Sequence, residues 1–330
     1  MTSLCLASIM GGMALVTDSK RTLISREIIS ALDPIPGADA IEVASVRGWK
    51  VVVKVGEFAP GDHVVYFEPD TALPVRDPRF RFLAARGVKD VDGVEYHILK
   101  TARLRGCWSE GLVLPASMFP DFDDLDRLKW EPPLPTGGGQ IVGVFDTSVA
   151  LPTDAERVQN ISVLGIDESW SATEKIDGCS VTISRDTLGA VRVFSRNWEV
   201  ADGANQFWAA LGLLGGPECV PLNGAVQMEL AGPGIQGNPL GLYEKRVFVF
   251  RVWIDGSVIG RSDWTDALLS RSAPVIDIPI PATADDALDL VDNMVSTVNP
   301  NRKAEGVVWQ SPGGFCVKAL SRKYLLKHGS

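Results

Sequence analysis

Short runs of apolar and β-branched residues recur through the first part of the chain and are separated by turn residues. The runs are KVVVKV (50–55), HVVYF (63–67), VEYHIL (94–99) and GLVLP (111–115), and their composition is typical of β-strands. APGD lies between the first two runs, and its Pro60 and Gly61 suit a turn. Short strands spaced regularly over about 100 residues favour a small β-barrel.

The second part of the chain combines strands with two candidate helices. Its apolar runs are GCSVTIS, AVRVFS, AVQMEL, RVFVFRVWI, EGVVWQ and FCVKAL. One candidate helix is NQFWAALGLL (205–214). The other follows Thr283, a suitable N-cap, and keeps a helical spacing of apolar residues to Val298, before Pro300. This mixture predicts an α+β domain of antiparallel sheets with flanking helices.

The character of the chain changes between residues 120 and 155. DFDD, EPPLPTGGGQ and LPTD bring proline, glycine and acidic residues in place of an apolar period. We therefore expect a linker over residues 126–155, which joins a first domain at 21–125 to a second domain at 156–330.

The start of the chain carries no clear signal. Residues 1–20 are expected to form a disordered leader, because Met10 and Met13 could each be the start of translation. The apolar run from Leu4 to Val16 is interrupted by glycines and has no basic residue before it. It is too short for a membrane span and is a poor signal peptide.

Composition indicates a folded protein of the reducing cytoplasm. A chain of 330 residues that is 45% hydrophobic can supply two cores. The five cysteines are scattered and never form a C-x-x-C pair, which argues against a disulfide framework and against a zinc site. Neither a G-x-G-x-x-G nor a Walker-type phosphate loop occurs, so dinucleotide-fold and P-loop chemistry are disfavoured.

The net charge of −9 is not typical of a nucleic-acid-binding protein, but the charge is unevenly distributed. Residues 79–105 hold seven basic and three acidic side chains, and residues 302–327 hold six basic side chains and one acidic. Each cluster is compatible with an ordinary solvated face or with a surface that binds a polyanion.

The segment TEKIDGCSVTI carries the strongest chemical signal. Lys175 and Asp177 precede a glycine at the start of a strand, although Lys-x-Asp-Gly alone arises by chance in roughly one chain in ten. Downstream stand FSRNWEV, VQMELAGPGIQGN, VFVFRVW, EGVVW and VKALSRKYLLK, in that order. This ordered set resembles the motifs of the covalent nucleotidyltransferase superfamily of ligases and capping enzymes. ELAGPGIQGN and RVQN are most similar to RNA ligases.

The resemblance implies an ATP-dependent RNA ligase that joins 3′-OH and 5′-phosphate ends through a lysyl-AMP and an RNA-adenylate. Lys175 would be the nucleophile and Lys318 its cationic partner. The resemblance further implies a metal set and a nucleotide set. The metal set, for Mg²⁺ or Mn²⁺ held largely through water, is Asp177, Glu229 and Glu305. The nucleotide set is Glu174, Ile176, Arg157, Arg196, Glu229, Phe250 and Lys318.

Physical chemistry supports these residue types. Lys175 must lose its proton before it attacks phosphorus, which costs roughly 4 to 5 kcal/mol at pH 7 from an ordinary lysine pKa. A neighbouring cation lowers that cost. Oxygen ligands suit a hard cation such as Mg²⁺, the fork of an arginine suits phosphate, and an aromatic ring suits a base.

The first half resembles the OB-fold domain that precedes the transferase in one branch of these ligases, through PIPGADAIEVASVRGWKVVVKVGEF, GDHVVYFEPD and LRGCWSEGLVLP. The resemblance implies that this domain handles RNA. The substrate stays open between a nicked duplex or an RNA/DNA hybrid, a broken tRNA and two single strands, and we expect a monomer. We expect Arg103 and Arg105 of the first basic cluster to bind nucleic acid.

Two positions depart from the family pattern. Leu320 stands where a second motif lysine is common, and Met228 replaces the glycine that usually precedes the motif glutamate. Two alternatives stay open at this point. One is a DNA ligase or a GTP-using capping-type enzyme, which would share Lys175. The other is an inactive OB-fold module that only binds nucleic acid.

Overall fold

The computed structural model describes the backbone of residues 14–17 and, in full, residues 22–131, 134, 137–161, 166–167, 169–279 and 281–329. The chain divides into two compact units. The first comprises Met1–Leu134, Gln159–Ser162 and Leu325–Ser330, and the second comprises Pro135–Val158 and Val163–Tyr324. Among the described residues, none of the helices has the length and apolar character needed to cross a membrane.

The first unit is built from short strands. They are β1 (Ala14–Thr17), β2 (Ile24–Ile28), β3 (Ala31–Ile35), β4 (Ala38–Val46), β5 (Trp49–Lys54), β6 (His63–Phe67), β7 (Ala72–Pro74), β8 (Lys89–Val91), β9 (Val94–Ile98), β10 (Thr101–Leu104), β11 (Cys107–Glu110), β12 (Leu112–Pro115) and β13 (Leu128–Glu131). The four apolar runs predicted to be strands correspond to β5, β6, β9 and β12, which confirms those predictions.

Strand β6 is the centre of this unit. It pairs antiparallel with β2 on one side and with β12 on the other. Val65 and Phe67 pack into one apolar cluster, whereas Val64 and Tyr66 pack into a second. Because both faces of β6 are covered, its sequence is a continuous apolar run and does not alternate with polar residues.

The start of the chain and the expected linker are partly ordered. The backbone of β1 pairs antiparallel with β13, so residues 14–17 are structured, contrary to the expected leader. Residues 1–13, including Met10 and Met13, lie outside the described residues. The stretch expected to be a linker contains β13 and a further strand at Ile141–Val144, because a strand needs only a partner edge and not a long apolar run.

The second unit contains longer strands and the helices. They are β14 (Ile141–Val144), β15 (Glu156–Arg157), β16 (Ser171–Lys175), β17 (Cys179–Arg185), β18 (Val191–Phe194), β19 (Trp198–Val200), α1 (Gln206–Leu214), β20 (Gly224–Ala231), β21 (Arg246–Ile254), β22 (Ser257–Val258), α2 (Asp266–Leu269), α3 (Ala284–Asn293), β23 (Gly306–Gln310), β24 (Cys316–Leu320) and α4 (Arg322–His328).

Two sheets organise this unit. One has the strand order β14-β19-β18-β17-β20-β21-β22, and the other has the order β15-β24-β23-β16. The pairs within them are antiparallel, except that β15 runs parallel to β24. The predicted α+β class with antiparallel sheets and flanking helices is confirmed.

Helices α1 and α3 begin where the sequence indicates. Asn205 caps α1 by accepting hydrogen bonds from the backbone of Phe207 and Trp208. Thr283 and Asp286 form a capping box at the start of α3. Helix α3 ends at Asn293, earlier than predicted, because the next residues are extended and Val295 pairs with Lys303.

Candidate active site

Lys175 and Glu305 are brought together by the register of two strands. Lys175 is the last residue of β16 and pairs with Gly306, the first residue of β23. Its Nζ donates a hydrogen bond to Glu305 Oε2 at 2.7 Å. Gly306 is required here, because a Cβ at this position would collide with the backbone carbonyl of Ala319 on β24. The strand pairing therefore defines the Lys175–Glu305 contact.

Asp177 and Glu229 approach Lys175 from the other sheet. Asp177 lies in the connection from β16 to β17, and Glu229 lies on β20 opposite Ser180 of β17. Gly178 allows this connection to pass against β20, since a Cβ would collide with the carbonyl of Leu230. The Lys-x-Asp-Gly motif thus needs its glycine for a close approach of two backbones.

The carboxylates and the lysine influence each other strongly. Burial lowers the pKa of Lys175, but the charges of Glu305, Glu229 and Asp177 raise it, and the net shift is upward. Burial raises the pKa of Glu229 to about 8 and that of Glu305 to about 7, with repulsion from the other acids adding to the effect. Three acids around one amine therefore leave excess negative charge in a recess.

Cationic side chains lie at the border of this recess. Lys318 is buried on β24 and lowers the pKa of Glu305 by its charge. Arg157 of β15 is paired in parallel register with Lys318. Arg196 forms an ion pair with Asp154 and lowers the pKa of Glu229. Asp154 was not expected from the sequence, since no motif marks it.

An apolar surface adjoins Lys175. Ile176 and Phe248 are buried in one cluster, and the half-buried Phe250 packs against it. The register between β20 and β21 shifts so that Met228 faces Val249 while Gln227 faces Arg251, which leaves Phe250 as the extra residue of a β-bulge. A bulge changes the direction of a side chain, so Phe250 is not an ordinary alternating strand residue.

Glu174 is buried next to this surface and is 2% exposed. Its Oε2 accepts hydrogen bonds from the backbone and the hydroxyl of Thr297. Its Oε1 is buried and has no hydrogen-bond partner among the described residues. A buried acceptor is costly to leave unsatisfied, so this oxygen is suited to a donor from outside the described residues.

Tyr324 was not predicted as a site residue. It lies in the first turn of α4, and its hydroxyl donates a hydrogen bond to Asp177 Oδ2 at 2.7 Å. Burial, together with the charge of Asp177, raises the pKa of Tyr324, so the hydroxyl keeps its proton. The only sequence signal was its place within the last matched segment, VKALSRKYLLK.

The residues expected to act on the nucleotide all lie in the segment from 157 to 318, whereas Arg103 and Arg105 lie apart from them in the sequence, at the β10–β11 hairpin of the first unit. Asp177, Glu229 and Glu305 share one electrostatic environment. Among the described residues, no group of three or more His, Cys, Asp or Glu side chains is placed to enclose a metal ion directly.

Comparisons with known proteins identify the family of this chain. Residues 168–327 match the family model of RNA ligases, and residues 23–116 match a model of an OB-fold domain. The chain is 33% identical to an apo variant of Naegleria gruberi RNA ligase, with a TM-score of 0.82 and coverage of 93% of this chain and 98% of that chain. The chain belongs to the RNA ligase family.

Further structures of the Naegleria gruberi RNA ligase are equally similar. A variant solved with ATP and Mn is 32% identical, and the enzyme solved with pyrophosphate is 33% identical; in both cases the TM-score is 0.82 and the match covers 93% of this chain and 99% of the other. Among curated proteins, none matches the present chain. The predicted OB-fold domain is confirmed, and the comparisons favour an RNA ligase over the DNA ligase, capping-enzyme and inactive-module alternatives.

The raised pKa of Glu229 makes a testable contribution to stability. Its pKa in the folded protein, about 8, exceeds the ordinary value of 4.5, so between these pH values the folded state binds more protons than the unfolded state. Stability from this group is therefore lost as the pH rises towards 8. We expect Glu229→Gln to raise the melting temperature in EDTA at about pH 8.5, with a smaller gain at pH 5.

Glu199→Gln is the matched control, because Arg192 lowers the pKa of Glu199 through a hydrogen bond. This control should instead lower the melting temperature at about pH 8.5. If Glu229→Gln changes the melting temperature equally at both pH values, the pKa of Glu229 is not raised in the folded protein.

Proposed function

We propose that this RNA ligase uses Lys175 as the nucleophile that receives AMP from ATP. The observation that carries the assignment is the contact of Lys175 Nζ with Glu305 Oε2 inside a cluster of acids. About a quarter of the Lys175 side chain, 26%, stays exposed, so the amine can reach a ligand. A lysine held only for structural reasons would have no need of three surrounding carboxylates.

The reaction runs in three displacements at phosphorus. Lys175 Nζ bonds to the α-phosphorus of ATP, the bond to the bridging oxygen breaks, and pyrophosphate leaves. The 5′-phosphate of RNA then displaces the lysine and takes AMP. Finally the 3′-OH attacks the activated 5′-phosphorus, forms the phosphodiester and releases AMP. Glu305 Oε2, with its raised pKa, is the group placed to take the proton of Lys175.

The acidic set fits a divalent cation, Mg²⁺ or Mn²⁺. Asp177, Glu229 and Glu305 offer oxygen ligands. Burial first, and repulsion from neighbouring acids second, raise the pKa of both glutamates, and a cation would favour their charged forms. A bound cation would supply positive charge that lowers the cost of deprotonating Lys175 and stabilises charge on the phosphate. Contact largely through water suits these acids, since among the described residues no three are placed to enclose a metal ion directly and Mg²⁺ dehydrates reluctantly.

The nucleotide site follows from the neighbours of Lys175. We assign the adenine to the apolar surface of Ile176 and Phe250, where a ring can stack on Phe250. Glu174 Oε1 is an acceptor suited to the amino group of adenine. Arg157, Arg196 and Lys318 supply positive charge for the ribose and phosphate groups.

The first unit is assigned to RNA. Arg103 and Arg105 are exposed on the β10–β11 hairpin, and the guanidinium of Arg103 lies over the ring of Trp108, 5.1 Å from its centroid. A cation beside an aromatic ring is typical of surfaces that bind a nucleic-acid backbone. We propose nicked duplex RNA or an RNA/DNA hybrid as the substrate, with residues 21–125 as the RNA-handling domain and residues 156–330 as the adenylyltransferase.

We also propose that the protein acts as a cytoplasmic monomer. One chain supplies every residue assigned to the chemistry. The described cysteines, Cys107, Cys179, Cys219 and Cys316, are free thiols, which suits a reducing compartment.

The first test is the covalent intermediate. Protein incubated with α-labelled ATP and Mn²⁺ should acquire acid-labile AMP on the peptide that contains Lys175, and Lys175→Ala should acquire none. The variant should still seal a nick whose 5′ end is already adenylated, because the work of the lysine is then done. That sealing shows that the variant is folded. Label on a different residue would contradict the assignment.

Nucleotide selection tests the role of Glu174. The wild-type enzyme should prefer ATP over ITP, which lacks the amino group, by about 10-fold or more in kcat/KM, because an acceptor left without its donor is costly. Glu174→Gln should reduce this preference, since an amide can turn its donor towards the base. An unchanged ATP/ITP ratio in an active variant would show that Glu174 does not contact the base.

RNA affinity tests the hairpin. Arg105→Glu should weaken binding to nicked RNA and reduce the dependence of log K on log salt by about one or more, because a phosphate contact and its counterion release are lost. Adenylate formation should be preserved. Lys54→Glu, the same charge change at an exposed position on β5, is the control. Equal losses in both variants would indicate only a general effect of net charge.

A further inference from the structure

Tyr324 is the one polar side chain from α4 that reaches the acids around Lys175 among the described contacts. Its ring is buried, at 5% exposure, and its hydroxyl donates to Asp177 Oδ2 at 2.7 Å. Asp177 lies two residues after the nucleophile and helps to raise the pKa of Lys175. The orientation of its carboxylate therefore bears on the reaction.

The position of Tyr324 is set by a buried ion pair between α3 and α4. Asp292 Oδ1 accepts from the backbone N–H of Arg322 at 2.6 Å, and Asp292 Oδ2 accepts from Arg322 Nε at 2.9 Å. The side chains of Asp292 and Arg322 are 5% and 6% exposed. Arg322 also pairs with Asp289 at 2.8 Å. Loss of Arg322 would leave the buried Asp292 carboxylate without its counter-charge, so this pair strongly restricts the start of α4.

Ser321 connects the same region to the acid that binds Lys175. Its backbone N–H donates to the carbonyl of Glu305 at 2.8 Å, and its hydroxyl accepts from the backbone N–H of Tyr324 at 3.2 Å. The Ser321 hydroxyl also donates to Asp292 at 3.3 Å. The first turn of α4 is thus tied both to α3 and to the backbone of Glu305.

Packing alone does not explain why position 324 is a tyrosine. A phenylalanine would fill the same apolar space but would lack the hydroxyl that donates to Asp177 Oδ2. Asp177 stands in a connection between strands, where its carboxylate could otherwise rotate towards the amine of Lys175. A hydrogen bond that occupies Oδ2 restricts that rotation and leaves the remaining acceptor sites of the carboxylate for other ligands.

We propose that Tyr324 is a positioning residue, whose hydroxyl holds the Asp177 carboxylate in the orientation that serves the cation and the α-phosphate during adenylylation. This inference rests on the proposed function of Lys175 and Asp177. Removing a group that orients a metal-binding side chain typically lowers metal affinity or activity by about 10- to 100-fold. The loss should therefore appear in kcat and in the metal requirement, with little change in the KM for ATP.

The test compares Tyr324→Phe with Tyr66→Phe. Tyr66 is equally buried in the first unit, and its hydroxyl donates to the carbonyl of Glu110 at 2.9 Å, so the control removes one buried hydroxyl away from the site. Tyr324→Phe should lower the rate of lysyl-AMP formation about 10-fold or more and raise the Mn²⁺ concentration for half-maximal rate. Tyr66→Phe should leave both unchanged when the two variants are compared well below their melting temperatures.

Metal binding without turnover gives an independent reading. The Lys175→Ala variant does not react, so Mn²⁺ binding can be measured in it with ATP present. Electron paramagnetic resonance should detect more free Mn²⁺ with the double variant Lys175→Ala/Tyr324→Phe than with Lys175→Ala alone. The difference should correspond to an affinity for Mn²⁺ that is about 10-fold weaker. The same change in an Asp177→Ala background should have no further effect on Mn²⁺ binding, because the hydroxyl acts through Asp177.

The outcomes distinguish failure of the proposed function from failure of the positioning role of Tyr324. If wild-type protein forms no lysyl-AMP, the proposed function fails. If the wild type reacts but Tyr324→Phe matches it in rate and in Mn²⁺ affinity, the function stands and the positioning role is overturned. An equal effect of Tyr324→Phe with and without Asp177 would also overturn it.

Discussion

The antiparallel pairing of β16 with β23 is the constraint on which the active site depends. It places Lys175 opposite Gly306 and so brings the amine against Glu305, which is 130 residues away in the chain. Gly306 permits the pairing, because any larger residue would meet the carbonyl of Ala319. A shift of one residue would turn Lys175 to the other face of the sheet and remove the contact altogether.

The electrostatics of this site oppose stability and serve chemistry. Three acids surround one lysine, and burial raises the pKa of both Glu229 and Glu305 above the ordinary range. The same acids raise the pKa of Lys175, which is the opposite of what nucleophilic attack requires. In the proposed reaction a bound divalent cation would resolve this conflict, because it would offset the acids and favour the neutral amine. The acids that destabilise the fold are therefore the same acids whose charge the proposed cation would offset.

Structural support for the site comes from a backbone irregularity and from a buried ion pair. The bulge in β21 displaces Phe250 from ordinary alternation, and the Asp292–Arg322 pair holds the start of α4 close to Asp177. The departure at Leu320 is also accommodated structurally. Leu320 is 6% exposed and pairs with Gly306, so this position is a packed part of β24. Cationic charge near the acids comes from Lys318, two residues earlier.

The sequence alone determined the class of the protein, because local patterns and motif order do not depend on distant contacts. The strands β5, β6, β9 and β12, the caps of α1 and α3, and the residue types needed for adenylylation could all be predicted from adjacent residues. Only the tertiary structure decided that β1 pairs with β13 and that α3 stops at Asn293. It also decided that Glu174 keeps a buried acceptor with no partner in the described part of the chain. It also revealed the Tyr324–Asp177 hydrogen bond, 147 residues apart. These features depend on which backbone and side-chain groups meet across the fold, and no pattern of neighbouring residues specifies those partners.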